Sequence, residues 1–468
     1  MASIEDVLPS YKAADTLTPG QTPAAGRAAK RSPQRLSSCR LILYLFASLL
    51  IFSALHKPAS RCYARLADRV CEKAMTVDQR ARRILAHTPL IDGHIDLPIF
   101  VRAFYRNHVD NEGWKQSFEN GTMPGQVDLL RLRQGQSGGA FWSVFAPCPE
   151  KGDDFSDANL APSVQYTLDQ IDVMDRVMAA YPRDFASRIT SNGAKAAFQA
   201  GKLISPLGIE GLHQIGNSVA NLRRFHELGV RYATLTHNCH NNFADAAVLE
   251  QPLRKAEPRW NGVSPLGRKL IQEMNRIGMI VDLSHVSEDT MIDVLGGRDG
   301  WSGSKAPIIF SHSSAYSICP HPRNVKNEVL KLVKKSNSVV MVNANPGFIS
   351  CVDVGNKNGL PEDDLANATL DRIVDHIMHI GNLIGFQHVG IGTDFDGIFE
   401  VPRGFKDVTA YPKLIAALLR AGVSDHDATK IAGGNLLRVW HEVDAVSARM
   451  KAENIPAMED EIPSMAFQ

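Results

Sequence analysis

Between residues 88 and 397 the chain repeats one pattern: a short apolar run, a polar residue near its end, then helix-like sequence. The runs are "PLIDGHID" (89–96), "GGAFWSVFA" (138–146), "LISPLGIEG" (203–211) and "VRYATLTHN" (230–238). They continue with "GMIVDLSHV" (278–286), "APIIFSHSS" (306–314), "SVVMVNANP" (338–346) and "HVGIGTDFDG" (388–397). Amphipathic stretches lie between several of them, among them "ANLRRFHELG" (220–229), "PLGRKLIQEMNRIG" (265–278) and "TLDRIVDHIMHIGNLIG" (369–385). Strands alternating with helices predict βα units and a parallel sheet. Eight units predict a closed (β/α)8 barrel of the TIM type. The stretch 147–202 is longer than one loop and one helix require, so an insertion is expected after strand 2. In the first run Asp92, His94 and Asp96 occupy every second position. Alternate residues of a strand share a face, so an apolar strand presents two carboxylates and an imidazole on one side.

In such a barrel the C-terminal strand ends converge on one site. The polar residues at those ends are His94, Asp96, Glu210, His237, His285, His312, Asp394 and Asp396. Neutral imidazoles and carboxylates are the donor set of zinc and similar divalent ions. One tetrahedral ion needs fewer donors than this, which points to a pair of metals suited to hydrolytic displacement. A single histidine at a strand end is more often a hydrogen-bonded structural residue than a ligand. The weight of the reading lies in the agreement between strands. Three other motifs read as structural. His376 and His379 share a helix face but have no carboxylate partner, "HEVD" at 441 has Ala445 where a second histidine would bind zinc, and "GIGTDFDG" lacks the third glycine of a dinucleotide loop.

Composition narrows the class without naming the chemistry. The chain has 468 residues, is 44% hydrophobic, and carries a net charge of +1, which excludes a nucleic-acid partner recruited by bulk charge. Residues 1–40 are polar, with Arg27, Lys30, Arg31, Arg35 and Arg40 toward their end, and are expected to be disordered. The uncharged run "LILYLFASLLIFSAL" (41–55) follows. It is short for a spanning helix of about 20 residues, and the long segment before it favours an uncleaved signal-anchor over a cleaved signal. The expected organisation is therefore a tail (1–40), an apolar signal-anchor or signal-peptide segment (41–56), a linker (57–79), a catalytic domain (80–445) and a C-terminal tail (446–468). The catalytic part is expected outside the cytosol, on a single-pass membrane protein or, after cleavage, a secreted one. Lys57, Arg61, Arg65 and Arg69 beyond the run weaken any assignment of orientation by charge. Four cysteines in the body, Cys148, Cys239, Cys319 and Cys351, allow three pairings. Sequons at Asn120 and Asn367 are compatible with a secretory, glycosylated chain.

The ordered set "DGHIDLP", "GGAFWSVFAPC", "GIEGLHQIGNS", "GVRYATLTHNC", "VDLSHVSEDTM", "FSHSSAYSICPHPRNV" and "VGIGTDFDG" resembles the successive signatures of the membrane (renal-type) dipeptidases, zinc metallopeptidases among the amidohydrolase-like barrels. The resemblance spans roughly residues 80–445. It implies two Zn2+ per chain, with His94 and Asp96 on one ion, Glu210 bridging both, and His285 and His312 on the second. By the same resemblance Asp394 holds the bridging water and handles its proton, and His237 polarises the scissile carbonyl. Arg323, in "HPRNV", grips the substrate's free carboxylate. It further implies disulfides Cys148–Cys239 and Cys319–Cys351, dipeptide substrates and a homodimer. Two features depart from the family. The chain ends in "EIPSMAFQ" with no apolar lipid-anchor signal, and "NANPGF" (343–348) replaces a segment usually rich in asparagine and tyrosine. Rival readings are hydrolysis of a β-lactam or another small amide at the same site, or a membrane-tethered binding protein with a decayed site. The second would have lost ligands, and none is missing here.

Overall fold

The computed structural model of the chain describes residues 75–461. The expected N-terminal tail, the apolar run and the linker up to residue 74 lie outside the described residues. Among the described residues no helix is long and apolar enough to cross a membrane.

Each of the eight predicted runs forms a strand. They are β1 (Leu90–Ile95), β2 (Ser137–Ser143), β3 (Leu207–Glu210), β4 (Val230–Thr234), β5 (Ile280–Asp282), β6 (Ile309–Phe310), β7 (Val339–Val342) and β8 (Val389–Ile391). All pair in parallel and in chain order. The sheet curls until its last strand meets its first, where His94 O accepts from Asp394 N at 3.1 Å and Phe395 O from Asp96 N at 2.8 Å. The result is an α/β fold with a curled parallel sheet of the TIM-barrel kind. Strands such as β7, "VVMV", are buried at every position, as expected when both faces of a parallel sheet are covered.

The helices follow from their apolar faces and end signals. Pro265–Ile277 opens on Ser264, whose side chain accepts from Gly267 N, and closes on Gly278 at φ 87°. It buries Leu270, Ile271, Met274 and Ile277, the spacing of one helical face. Leu370–Ile384 buries Ile373, Ile377, Ile380 and Ile384. His376 on that helix accepts from Ala315 N and pairs with Ile349 O, and His379 pairs with Asn327, so both are structural.

The insertion after β2 consists of the long helix Asp157–Ala180, the helix Ser191–Gln199 and two short strands. The run 203–211 divides in two. Leu203–Ile204 pairs with Gly139 of β2 and with one of the insertion's short strands, and Leu207–Glu210 takes the barrel position. Pro206 stands at the break, where it has no N–H to give to a ladder. The chain continues past residue 445 as part of the fold. The helix Asn435–Ala452 runs through that position, Met458 N donates to Glu273, and the Asp460 carboxylate accepts from Val219 N and Ala220 N at the start of the helix Val219–Glu227. Disulfides Cys148–Cys239 and Cys319–Cys351 are formed. Each ties together loops that leave the C-terminal ends of barrel strands.

Asp92 holds the seam between β1 and β8. Its buried carboxylate accepts from four donors: His94 N, Thr393 N, Thr393 Oγ1 and Tyr411 OH. Tyr411→Phe removes one of them and is expected to lower stability by about 1–3 kcal/mol. The expected reading is an earlier urea midpoint with an unchanged slope. An unchanged midpoint would remove the seam from the stability of the fold.

Candidate functional site

Three imidazoles meet one carboxylate at the mouth of the curled sheet. Glu210 Oε1, at the end of β3, lies 3.0 Å from His285 Nε2 and 3.5 Å from both His94 Nε2 and His312 Nε2. His94 Nε2 is also 3.0 Å from Asp96 Oδ2. Ligand atoms of His94, Asp96 and Asp394 form one close group, those of His94, Glu210 and His312 a second, and those of Glu210, His237 and His285 a third. The predicted residues from different strands therefore converge. His94 and His312 form the floor, while Asp96, Glu210, His237, His285, Arg323 and Asp394 line a cleft of about 420 Å3 above it.

The hydrogen bonds behind the imidazoles decide which atoms face the cleft. His285 Nδ1 donates to Asn238 Oδ1 at 2.8 Å. Ser311 Oγ donates to Asp282 Oδ2 at 2.6 Å and so accepts from His312 Nδ1 at 2.8 Å. Both Nε2 atoms then carry lone pairs, and they lie 2.9 Å apart. Burial, with Arg323 and neighbouring histidines adding to it, pushes His285 and His312 well below the ordinary histidine range, so protonation does not relieve that repulsion. A shared metal cation would. Among the carboxylates, Glu210 supports this fit. Burial pushes Asp394 up to about 8, with Asp96 and Glu210 adding to it against the pull of His94. Burial also opposes charge on Glu210, but His94 and His285 outweigh it and hold the group well below its ordinary range. Neutral His285 and His312 and an ionised Glu210 are in the forms that bind metal. Burial lowers His94, but Tyr232, Glu210 and Asp96 outweigh it and hold that group well above the ordinary histidine range, so it would give up a proton to a bound cation.

Backbone conformation serves the same cluster. His285, Asp394 and Asp396 have φ of 67°, 65° and 64°, left-handed values that cost a residue with a Cβ about 1–2 kcal/mol. Such outliers persist where the surroundings enforce them. Gly397 makes room, since a Cβ there would lie 2.5 Å from Asp394 Oδ1.

Arg323 is 1% exposed, and none of its three guanidinium nitrogens has a hydrogen-bond partner among the described residues. Its guanidinium carbon lies 5.2 Å from the centre of the Phe348 ring. Burial lowers it to about 10, with Asp394 and Glu210 pulling the other way, so it is a cation at neutral pH. A buried guanidinium without partners on the wall of a cleft is suited to an anionic ligand. His237 lies with its ring centroid 4.4 Å from that of His285.

Several supporting residues carry no signal in the sequence pattern. Tyr232 OH lies 2.7 Å from His94 Nδ1, but in β4 it reads as one more apolar position. Gly208 admits the Tyr232 ring, which a Cβ would block. Glu250 Oε1 lies 3.2 Å from His237 Nδ1, and it reaches that place through the hairpin Val248–Glu250 and Leu253–Lys255. Asp282 could have been suspected from "VDLSH", yet it holds Ser311 and Thr234 rather than facing the cleft. Asp396 accepts from Gln126 N at 2.6 Å and donates its own N–H to Gln126 Oε1.

Comparison with known proteins identifies the family. Residues 78–454 match the family model of membrane dipeptidase, peptidase family M19. An uncharacterized dipeptidase of Schizosaccharomyces pombe is 46% identical over 373 residues, 78% of this chain and 83% of that protein. Dipeptidase aclJ of Aspergillus oryzae is 42% identical over 389 residues, 81% of this chain and 84% of the relative. Among solved structures, the probable dipeptidase PvdM of Pseudomonas aeruginosa has a TM-score of 0.67 at 22% identity, covering 79% of this chain and 99% of that one. A metallo peptidase of Rhodobacter sphaeroides, liganded with a phosphinate mimic of the dipeptide L-Ala-D-Ala, has a TM-score of 0.63 at 23% identity, covering 76% and 99%. At these identities the structural likeness bears on the fold.

Glu210→Ala removes the carboxylate on which three imidazoles converge. It is expected to cut the divalent metal that copurifies with the chain to below half of the native content, measured by mass spectrometry of the folded variant. Native metal content in that variant would contradict the assignment of Glu210 as a ligand.

Proposed function

The chain belongs to the membrane dipeptidase family, peptidase family M19, and is a metallopeptidase of dipeptidase type; from that premise we propose that it hydrolyses dipeptides with two zinc ions held around Glu210. The observation that carries this is the convergence of three histidine Nε2 atoms on Glu210 Oε1 beside an unpartnered buried arginine. His94 and Asp96 would hold one ion, His285 and His312 the other, and Glu210 both. When bound, such a pair supplies hydroxide near neutral pH and polarises a carbonyl.

The chain's own residues do the rest. Arg323 binds the substrate's free carboxylate with its guanidinium fork. A longer peptide would carry its carboxylate beyond that reach, so the clamp restricts length to two residues. His237 stands beside the cluster, held through Nδ1 by Glu250, and turns its other nitrogen to the carbonyl oxygen as charge develops there. Asp394, at the end of β8, takes the proton of the attacking water and returns it to the leaving amine. Its burial beside Asp96 and Glu210 supports a proton-accepting role, because it raises the group's affinity for a proton.

A location outside the cytosol belongs to the same proposal and is supported by the two disulfides. A tether through residues 41–55 and a homodimer rest on the sequence and on the family resemblance.

The direct assay is release of free amino acids from simple dipeptides by the purified chain with zinc supplied. Chelation is expected to abolish hydrolysis and zinc to restore it; folded, zinc-loaded protein that cleaves no dipeptide would overturn the proposal. Asp394→Asn is expected to lower kcat by about 10²–10⁴ with zinc content retained, and near-native kcat would remove the proton-transfer role. Arg323→Ala should raise KM at least tenfold for dipeptides, since charged hydrogen bonds contribute about 1.5–3 kcal/mol each. An unchanged KM would count against the carboxylate clamp.

A further inference from the structure

The cleft has a second wall that the chemistry of hydrolysis does not use. Phe399 is 95% exposed and Phe104 is 56% exposed, although large aromatic side chains gain most from burial. Both line the same cleft as Asp96, Asp394 and Arg323, together with Ile99, Phe100 and Ala103. The helix Leu97–Tyr105 starts at the residue after Asp96, so its first turn leaves directly from the metal cluster. Ile99, Phe100, Ala103 and Phe104 recur at the spacing of one helical face, and the rings of Phe100 and Phe104 lie 5.2 Å apart. Phe399 comes from the loop after β8, five residues beyond Asp394. Two elements that begin at site residues thus carry an aromatic strip outward from the cluster.

Charge fixes which part of a dipeptide meets this strip. The carboxylate end belongs with Arg323, whose neighbours on the cleft wall include Asn345 and Phe348. Asp394 and Asp396 line the cleft beside the helix Leu97–Tyr105, and their carboxyl oxygens can accept hydrogen bonds from the substrate's ammonium group. A dipeptide lying between these groups directs the side chain of its first residue toward the strip. Resting on the dipeptidase reading, we propose that Ile99, Phe100, Phe104 and Phe399 form the subsite for the side chain of the N-terminal residue, and that this subsite selects dipeptides bearing a large apolar group there. Such a side chain covers aromatic surface that otherwise faces water. That gain is enough for about a tenfold preference over a methyl group.

The test compares kcat/KM for Phe-Gly and Ala-Gly in the native chain and in the double variant Phe104→Ala/Phe399→Ala. The native ratio is expected to be about ten and to fall to about one in the variant. Inhibition by phosphinate analogues of the same two dipeptides should show the same loss of discrimination, independently of turnover. A native ratio near one, or a ratio that stays near ten in the folded variant, overturns the subsite. If sedimentation instead finds a native dimer that the variant abolishes while the ratio holds, the strip is a contact between copies and the subsite is refuted. Failure to cleave either dipeptide overturns the dipeptidase reading itself, a result distinct from cleavage without preference.

Discussion

Glu210 is 4% exposed, yet its Oε1 lies within 3.5 Å of ring nitrogens from three other strand ends. Taking a carboxylate out of water is costly unless it is paired, and His285 and His312, neutral and with their lone pairs inward, do not pair it by themselves. A cation at the centre satisfies all four groups together. The cluster therefore sets demands on the rest of the fold. Strands must end at one level, imidazoles must be held from behind, and the walls must leave room for donors to approach.

The scaffold meets these demands with few devices. Parallel pairing in chain order brings His94, Glu210, His285 and His312 to one end of the sheet. Tyr232, Asn238 and the Ser311–Asp282 pair fix the rings through their outer nitrogens, which determines which nitrogen is free. Left-handed backbone at His285 and Asp394 re-aims those side chains where a regular strand would carry them elsewhere. The disulfide Cys148–Cys239 fastens the loop next to His237. Asp92, which shares a face with His94 and Asp96, serves the seam and not the site. Of the polar groups that alternate along the first run, Asp92 thus closes the sheet, while His94 in β1 and Asp96 just beyond it stand in the cluster.

How much of this was legible in the sequence depends on the kind of signal. The strands and the site residues could be read because histidines and carboxylates at the end of an apolar run have little structural reason to recur in six runs out of eight. The break at Pro206 was hidden, since "LISPLGIEG" is apolar on both sides of the proline and only pairing partners separate its halves. Glu250 was not legible either. It stands thirteen residues after His237, in a hairpin whose return to the site is a tertiary event. Tyr232 was masked by its apolar ring, and the C-terminal segment looked like a tail because Met458 and Asp460 reveal their roles only against Glu273 and Val219.

Membership of the membrane dipeptidase family and the geometry of the cleft support one account: a cation-centred cluster performs hydrolysis while Arg323 recognises the free carboxylate. The central claim is that two metal ions act together at Glu210. The most direct measurement is a titration of metal-free protein with zinc, following dipeptide hydrolysis and bound metal in the same samples. The account predicts that activity rises until two zinc ions are bound per chain and then stays level. Full activity with one ion bound, or with none, would contradict it.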